Sequence, residues 1–170
     1  MALSVALVLL ALHAWALLHN TDDLFINLRY AYHIGSGAGP VFTLGEQVEG
    51  YTPTLWVFAL GGLSALGVDL LQGARLFSFL SGLLCLPLLW LVARRWRWEG
   101  AALAMLLAAN TSFAVWTSSA MEMTAFTALL LLSLAIAGAR RWAALGIVLA
   151  LATLMRPEGA MWALVIIGYL

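Results

Sequence analysis

Residues 70–93 read LLQGARLFSFLSGLLCLPLLWLVA, with Arg94, Arg95 and Arg97 following at once. A helix needs about 20 apolar residues to cross a bilayer core of about 30 Å. The run is long enough, so it predicts a membrane-spanning helix. The remaining residues share its character. The chain of 170 residues is 64% hydrophobic and 9% charged, with zero formal net charge and a mean hydropathy of +1.00. Soluble domains carry about 25% charged residues, so composition predicts an all-α, polytopic integral membrane protein and argues against a soluble one. All eight basic residues are Arg. No polybasic run exists that would grip nucleic acid or an anionic membrane surface. Cys85, between Leu84 and Leu86, reads as a small hydrophobe.

Spans are expected on either side of that run, near residues 2–18, 101–117, 124–139, 142–155 and 159–170. The first lacks a basic leader region and an A-x-A cleavage site, so it reads as a retained transmembrane helix. His13 within it reads as a packed residue, and His19 and Asn20 mark the water boundary. Residues 53–67 are apolar but interrupted by Gly61, Gly62 and Gly67. They suit either a crossing or a juxtamembrane or re-entrant helix. The last run, about twelve residues, is too short to cross, which predicts an amino-terminal portion of a longer protein or a truncated relative of one.

Charge asymmetry selects between two topologies. With a cytoplasmic amino terminus and no crossing by 53–67, Arg94, Arg95, Arg97, Arg140 and Arg141 all lie inside, as the positive-inside rule prefers. Asp22, Asp23, Arg29, Glu46, Glu49, Glu122, Arg156 and Glu158 then share the outside. The competing topology has the amino terminus outside and 53–67 crossing. It keeps the Arg clusters inside but separates the acidic loop from Glu122 and Arg156. Trp90, Trp96, Trp98, Trp116 and Trp142 fall near span ends, as an aromatic belt does.

The polar stretch 20–52 interrupts this apolar pattern. Thr21 is expected to cap a helix whose first turn carries Asp22 and Asp23, favourable at the positive end of a helix dipole. At about 100° per residue, Asp22, Arg29 and His33 project within roughly 40° of one another, with Asp23, Asn27 and Tyr30 beside them. Leu24, Phe25, Leu28 and Tyr32 occupy the opposite face, which predicts an amphipathic helix at the membrane surface. Gly35, Gly37, Gly39 and Pro40 end that helix, and 41–46 reads as a short extended piece closed by a turn. Thr52 and Pro53 suit the cap and first position of the next helix.

Two polar intrusions sit far along the chain. Glu122 reads either as a first-turn acid of the helix that follows or as a functional group. The run of about fourteen residues before Arg156 covers only about 21 Å, which would leave Arg156 below the outer surface. An ionisable group at depth needs a polar cavity or a partner. Arg156 therefore suits either a phosphate ligand or a structural pair with Glu158 or Glu122.

Several motifs together resemble the first extracytoplasmic loop of bacterial GT-C glycosyltransferases, particularly those similar to terminal arabinofuranosyltransferases of the actinobacterial cell wall. They are Asp22-Asp23-x-Phe25-Ile26-x-x-Arg29-Tyr30-Ala31, Gly37-x-Gly39-x-Val41-Phe42, and Gly45-Glu46-x-Val48-Glu49-Gly50-Tyr51-Thr52-x-x-Leu55-Trp56. Ser119 to Met123 resembles that family's Ser-Gly-Leu-Glu-Thr, keeping Ser119 and Glu122 but carrying Ala120, Met121 and Met123. Arg156-Pro157-Glu158-Gly159 matches its Arg-Pro-Glu-Gly.

The resemblance implies transfer of a sugar, arabinofuranose being the one it suggests, from a polyprenyl-phosphate donor. The acceptor would be a cell-envelope glycan or lipid, on the outer face of the bacterial cytoplasmic membrane. It implies juxtamembrane helices in the first loop. Asp22 or Asp23 would be the general base. Arg29 and Arg156 would stabilise the leaving phosphate, and Glu46, Glu49, Tyr51, Glu122 and Glu158 would bind sugar or acceptor. No cofactor is required; a divalent metal, if used, would sit at Asp22 and Asp23, although adjacent side chains diverge. Family members continue through further spans and many add a soluble carboxyl-terminal domain, whereas this chain stops at Leu170. Two alternatives therefore stand: a non-catalytic membrane module that binds lipid phosphate or a partner subunit, and a transporter lined by Asp22, Arg29 and Arg156. No inverted repeat supports the transporter.

Overall fold

The computed structural model describes residues 1–46, 48–94 and 97–169, without the side chains of residues 97 and 98. The expected roles of Arg95, Trp96 and the Arg97 and Trp98 side chains, and the end of the last run at Leu170, lie outside the described residues. Among the described residues the chain is all-helical, with nine helices and no strand. They are α1 Ala2–Ala16, α2 Asp22–Gly35, α3 Thr54–Ala65, α4 Leu70–Ala93, α5 Arg97–Ala109, α6 Thr111–Ser118, α7 Met123–Gly138, α8 Trp142–Met155 and α9 Glu158–Tyr169.

Asp69 starts α4 by accepting a hydrogen bond from the Gln72 N–H at 2.8 Å, the usual way to satisfy an orphan first-turn donor. Twenty-four residues rise about 36 Å. Among the described residues, α4 alone is long and apolar enough to cross a membrane unaided. The other apolar helices, α1, α3, α7, α8 and α9, run for 12 to 16 residues. The expected single helix over 101–117 is instead two, α5 and α6, bent by 66° at Asn110. The Asn110 side chain accepts from the Phe113 N–H at 2.9 Å and so caps a new helix in mid-run.

α4 packs on α7 and α5, α1 packs on α5, and α7, α8 and α9 follow one another as hairpins. One end collects the polar groups: Ser118 Oγ donates to the Leu17 carbonyl at 3.1 Å, and Arg75 Nη2 donates to Asn20 Oδ1 at 2.9 Å. Within the bundle, Ser78, Cys85 and Thr124 are buried, and the Cys85 thiol donates to the Thr124 carbonyl. His13 packs inside the bundle too, its Nδ1 3.3 Å from the Ala108 carbonyl.

At that polar end, α2 and α3 form a closely packed pair. A Cβ at Gly35 would stand 2.5 Å from Ser64 Cβ, and one at Gly61 would stand 2.6 Å from Ile34 Cγ2. Of the glycines expected to interrupt a span, Gly61 thus lets two helices touch, whereas a Cβ at Gly62 or Gly67 would meet nothing within 4 Å. α3 rises only about 18 Å, less than a bilayer core of about 30 Å.

The structure changes four local expectations. α2 buries Leu24, Asn27, Tyr30, Ala31 and His33, so three residues of the expected polar side are packed, while Phe25 and Tyr32 of the expected apolar face are 53% and 59% exposed. Contact with α3 and the loop selects that face, and hydropathy does not. Thr21 occupies the N-cap of α2 but its hydroxyl makes no cap bond. α3 starts at Thr54 with Pro53 as its cap, one residue later than expected. Residues 41–46 form bends and a turn closed by the Glu46 N–H to the Thr43 carbonyl, with no extended segment.

Candidate functional site

Three side chains of α2 fasten the loop that follows it. The Tyr30 hydroxyl donates to the Val48 carbonyl at 2.7 Å and accepts from the Gly50 N–H at 2.9 Å. The His33 Nδ1 lies 2.6 Å from the Val41 carbonyl. Arg29 Nε donates to the Phe42 carbonyl at 2.8 Å, and its guanidinium sits 5.1 Å from the centroid of the Phe42 ring. Tyr51 meets Tyr30 edge-on at 4.8 Å. These bonds hold residues 48–53 against α2 and direct them toward the turn between α6 and α7.

That turn has an unusual backbone. Ala120 is buried and takes φ 59°, a left-handed conformation that costs a residue with a Cβ about 1 kcal/mol or more. Ser119 helps hold it, donating to the Trp116 carbonyl and accepting from the Met121 N–H. The turn sends Glu122 inward. Glu122 is 2% exposed and is the N-cap of α7, without a side-chain cap bond. Its Oε1 lies 2.6 Å from Arg156 Nη1, while its Oε2 is buried with no hydrogen-bond partner.

Arg156 stands at the break between α8 and α9, in extended backbone. It reaches Glu122 with Nη1 and the Met123 sulfur at 2.9 Å, and it reaches Glu158 with Nη2 at 3.0 Å and Nε at 3.4 Å. The guanidinium is therefore paired on two sides, with both of the acids that the structural alternative named. The same bond and charge hold the Glu158 carboxyl below its usual range. The Glu158 bond, followed by the Glu122 charge, raises Arg156 against the opposing effect of its burial. Gly159 closes the corner: a Cβ there would lie 2.5 Å from the Ala152 carbonyl, so α9 starts directly against α8.

A cavity of about 250 Å³ collects these parts, lined by Asp23, Asn27, Tyr51, Thr52, Glu122 and Arg156 among others. It joins three segments far apart in sequence. Asp22 is exposed and does not line it; nor do Arg29, Glu46, Glu49 and Glu158. Arg29 serves the loop, Glu46 is exposed, and Glu158 reaches the cavity only through Arg156. Glu49 and Tyr51 line two adjoining cavities, of about 520 Å³ under the loop and about 570 Å³ toward α8 and α9. Tyr51 is thus common to all three. Its phenol is pushed above its ordinary value by burial, then by Glu49 and Tyr30.

Asn27 was overlooked as a site residue, although it is buried and lines the cavity. Its signal was a polar residue at i+3 from Leu24 and i−4 from Ala31, on the inner stripe of α2. Among the described residues no group of three or more His, Cys, Asp or Glu could hold a metal ion. A cation at Asp22 and Asp23 would find no third such ligand among the described residues. No family model, curated protein or solved structure matches the chain.

Proposed function

We propose that the chain is the membrane-embedded part of a glycosyltransferase that takes a sugar from a polyprenyl-phosphate donor. The reading assigns it an acceptor on a cell-envelope glycan or lipid, at the outer face of the bacterial cytoplasmic membrane. One observation carries it. Asp23 and Tyr51 of the first loop, with Glu122 and Arg156 of the two later motifs that resemble GT-C enzymes, converge on one cavity.

Embedding in a membrane is supported by what faces outward. Val5, Val8 and Leu12 of α1, Leu76, Leu80 and Leu84 of α4, and Leu164, Val165 and Ile167 of α9 are all exposed. A surface this apolar suits lipid and is a hazard in water. With α1, α4, α5–α6, α7, α8 and α9 as the traversing segments, the loop-bearing end carries Asp23 and Arg156. Arg94, Arg140 and Arg141 stand at the other end, so the positive-inside rule directs the cavity outward.

In the reaction, Asp23 takes the proton of an acceptor hydroxyl as that oxygen attacks the anomeric carbon. The carbon–oxygen bond to the lipid phosphate breaks, and the phosphate leaves with the electron pair. Asp23 is the base in this reading because it lines the cavity and Asp22 does not. Arg156 stabilises the developing phosphate charge. Glu158, more than half exposed at 55%, yields its place on the guanidinium to the phosphate. The unpartnered Oε2 of Glu122 accepts a sugar hydroxyl, and Asn27 and Tyr51 supply further polar contacts.

The test is radiolabel transfer from a polyprenyl-phosphate sugar in membranes that carry the intact gene product. Asp23→Asn is expected to lower transfer by about 10²-fold or more, the scale of a lost general base, and Asp22→Asn by less than about tenfold. Absence of transfer in the wild type rejects the enzyme reading. Unchanged transfer in Asp23→Asn rejects the base.

A further inference from the structure

A second cavity lies outside this site, on the seam between α1 and α4. It has a volume of about 460 Å³ and is walled by Trp15 of α1, by Leu18 just beyond it, and by Leu76 and Phe79 of α4, with Ser118 also in its lining. Trp15, Leu18 and Leu76 are exposed. Arg75 is the one charged residue in its wall.

Arg75 has no acidic partner. The ion pairs among the described residues both belong to Arg156. Asp69, the nearest acid along the helix, spends its carboxylate on the Gln72 N–H. Arg75 Nη2 reaches the neutral Asn20, and its Nε is buried without a hydrogen-bond partner. Arg75 lies in the second turn of α4, near the positive end of its dipole, whose orphan donor at Gln72 the Asp69 carboxylate already occupies. An uncompensated cation beside an apolar cleft is complementary to one kind of molecule, an anionic head group carrying a hydrocarbon chain. At the loop-bearing end of a spanning helix, lipid phosphates stand at this depth.

We propose that the α1–α4 cleft binds an anionic bilayer phospholipid, one acyl chain lying between Trp15, Leu18, Leu76 and Phe79 and the phosphate held by Arg75. The guanidinium offers a planar donor set that matches phosphate oxygens. A zwitterionic lipid would bring a cation toward the unpaired Arg75, so the cleft prefers net-negative head groups. Bound lipid closes α1 onto α4, next to the Asn20 contact that leads into α2. The inference rests on the membrane embedding proposed above and is independent of glycosyl transfer.

The test uses the full chain in nanodiscs of phosphatidylcholine alone or mixed with phosphatidylglycerol, with retained lipid identified by native mass spectrometry. Phosphatidylglycerol is expected to be retained preferentially. Arg75→Gln should lower that preference about tenfold, the scale of one lost charge-assisted hydrogen bond, and Arg75→Lys should keep most of it. Independently of any variant, phosphatidylglycerol with a photoreactive acyl chain should label Trp15, Leu18, Leu76 or Phe79. Equal retention of the two lipids, an undiminished preference in Arg75→Gln, or labelling elsewhere overturns the proposal. So does displacement of the retained lipid by a short polyprenyl phosphate, which would make the cleft a donor site. Release of the chain from membranes by alkaline carbonate removes the embedding and this inference with it. Stable insertion without an anionic preference removes this inference alone.

Discussion

Replacing Arg156 by methionine tests the centre of the site. Glu122 is 2% exposed, takes Arg156 as its one charged partner at 2.6 Å, and already has one oxygen with no partner. Arg156→Met would therefore leave a buried carboxylate with neither oxygen paired. Breaking a buried pair from one side costs about 3–5 kcal/mol. The Arg156 side chain is 25% exposed and borders a cavity that admits water, so the lower end, about 3 kcal/mol, is expected. Glu158→Gln removes the other partner of the same guanidinium, but that carboxylate is 55% exposed and its loss should cost less than about 1 kcal/mol. The double variant Glu122→Met with Arg156→Met removes both charges and should be less damaging than Arg156→Met alone, since an apolar pair often replaces a buried ion pair at little cost. Reversible unfolding in mixed detergent micelles of the wild type, Glu122→Met, Arg156→Met and the double variant closes a double-mutant cycle, with Glu158→Gln measured beside it. If Arg156→Met costs no more than Glu158→Gln, or if the double variant costs the sum of its parts, the buried pair is not what joins α7 to the α8–α9 corner.

Other expectations follow from single contacts. Gly159→Ala would force a Cβ to 2.5 Å from the Ala152 backbone, whereas Gly146→Ala meets nothing within 4 Å. The first should cost about 2 kcal/mol or more and the second should be neutral or better in the same unfolding assay. At Ala120, with φ 59°, glycine should change stability by less than about 1 kcal/mol. Valine there should cost about 2 kcal/mol or more. The Glu158 carboxyl is held low by Arg156, so its contribution is full above the ordinary carboxyl range and fades as pH falls through the lowered value. Glu158→Gln should flatten the acid limb of the stability curve, and an unchanged limb refutes the pairing. Tyr51 is raised above 10.0; its contribution is present below that value and is lost as pH rises through the raised one, so Tyr51→Phe should flatten the alkaline limb. Cysteines placed at the exposed Ser36 and Thr43 should react with an impermeant thiol reagent in intact cells, and protection of both would put the loop inside.

The apolar runs determined most of the helices by themselves. Residues 70–93, 124–139 and 142–155 each run into an Arg, at 94, 140 and 156, and helices occupy nearly those bounds. The reason is local: an unbroken apolar run has few ways other than a helix to satisfy its backbone, and charge or proline stops it. The break at Asn110 was not expected from the run over 101–117, although an amide inside an apolar run competes for a backbone N–H.

Which side chains face inward was decided only by tertiary structure. In a chain this apolar, hydropathy does not separate a side chain that packs from one that faces out. Phe25 and Tyr32 ended outside and Asn27 inside, because α3 and Met121 met the other face of α2. The site followed the same rule. The motifs pointed to Asp22, Asp23, Arg29, Glu122 and Arg156, but a strained turn at Ala120 and a close corner at Gly159 brought Glu122 to Arg156. The loop bonds of Tyr30 and His33 then set Tyr51 beside Asp23. Contacts between residues 34 apart, as in the Arg156–Glu122 bond, depend on where helix ends meet. No short-range pattern encodes that.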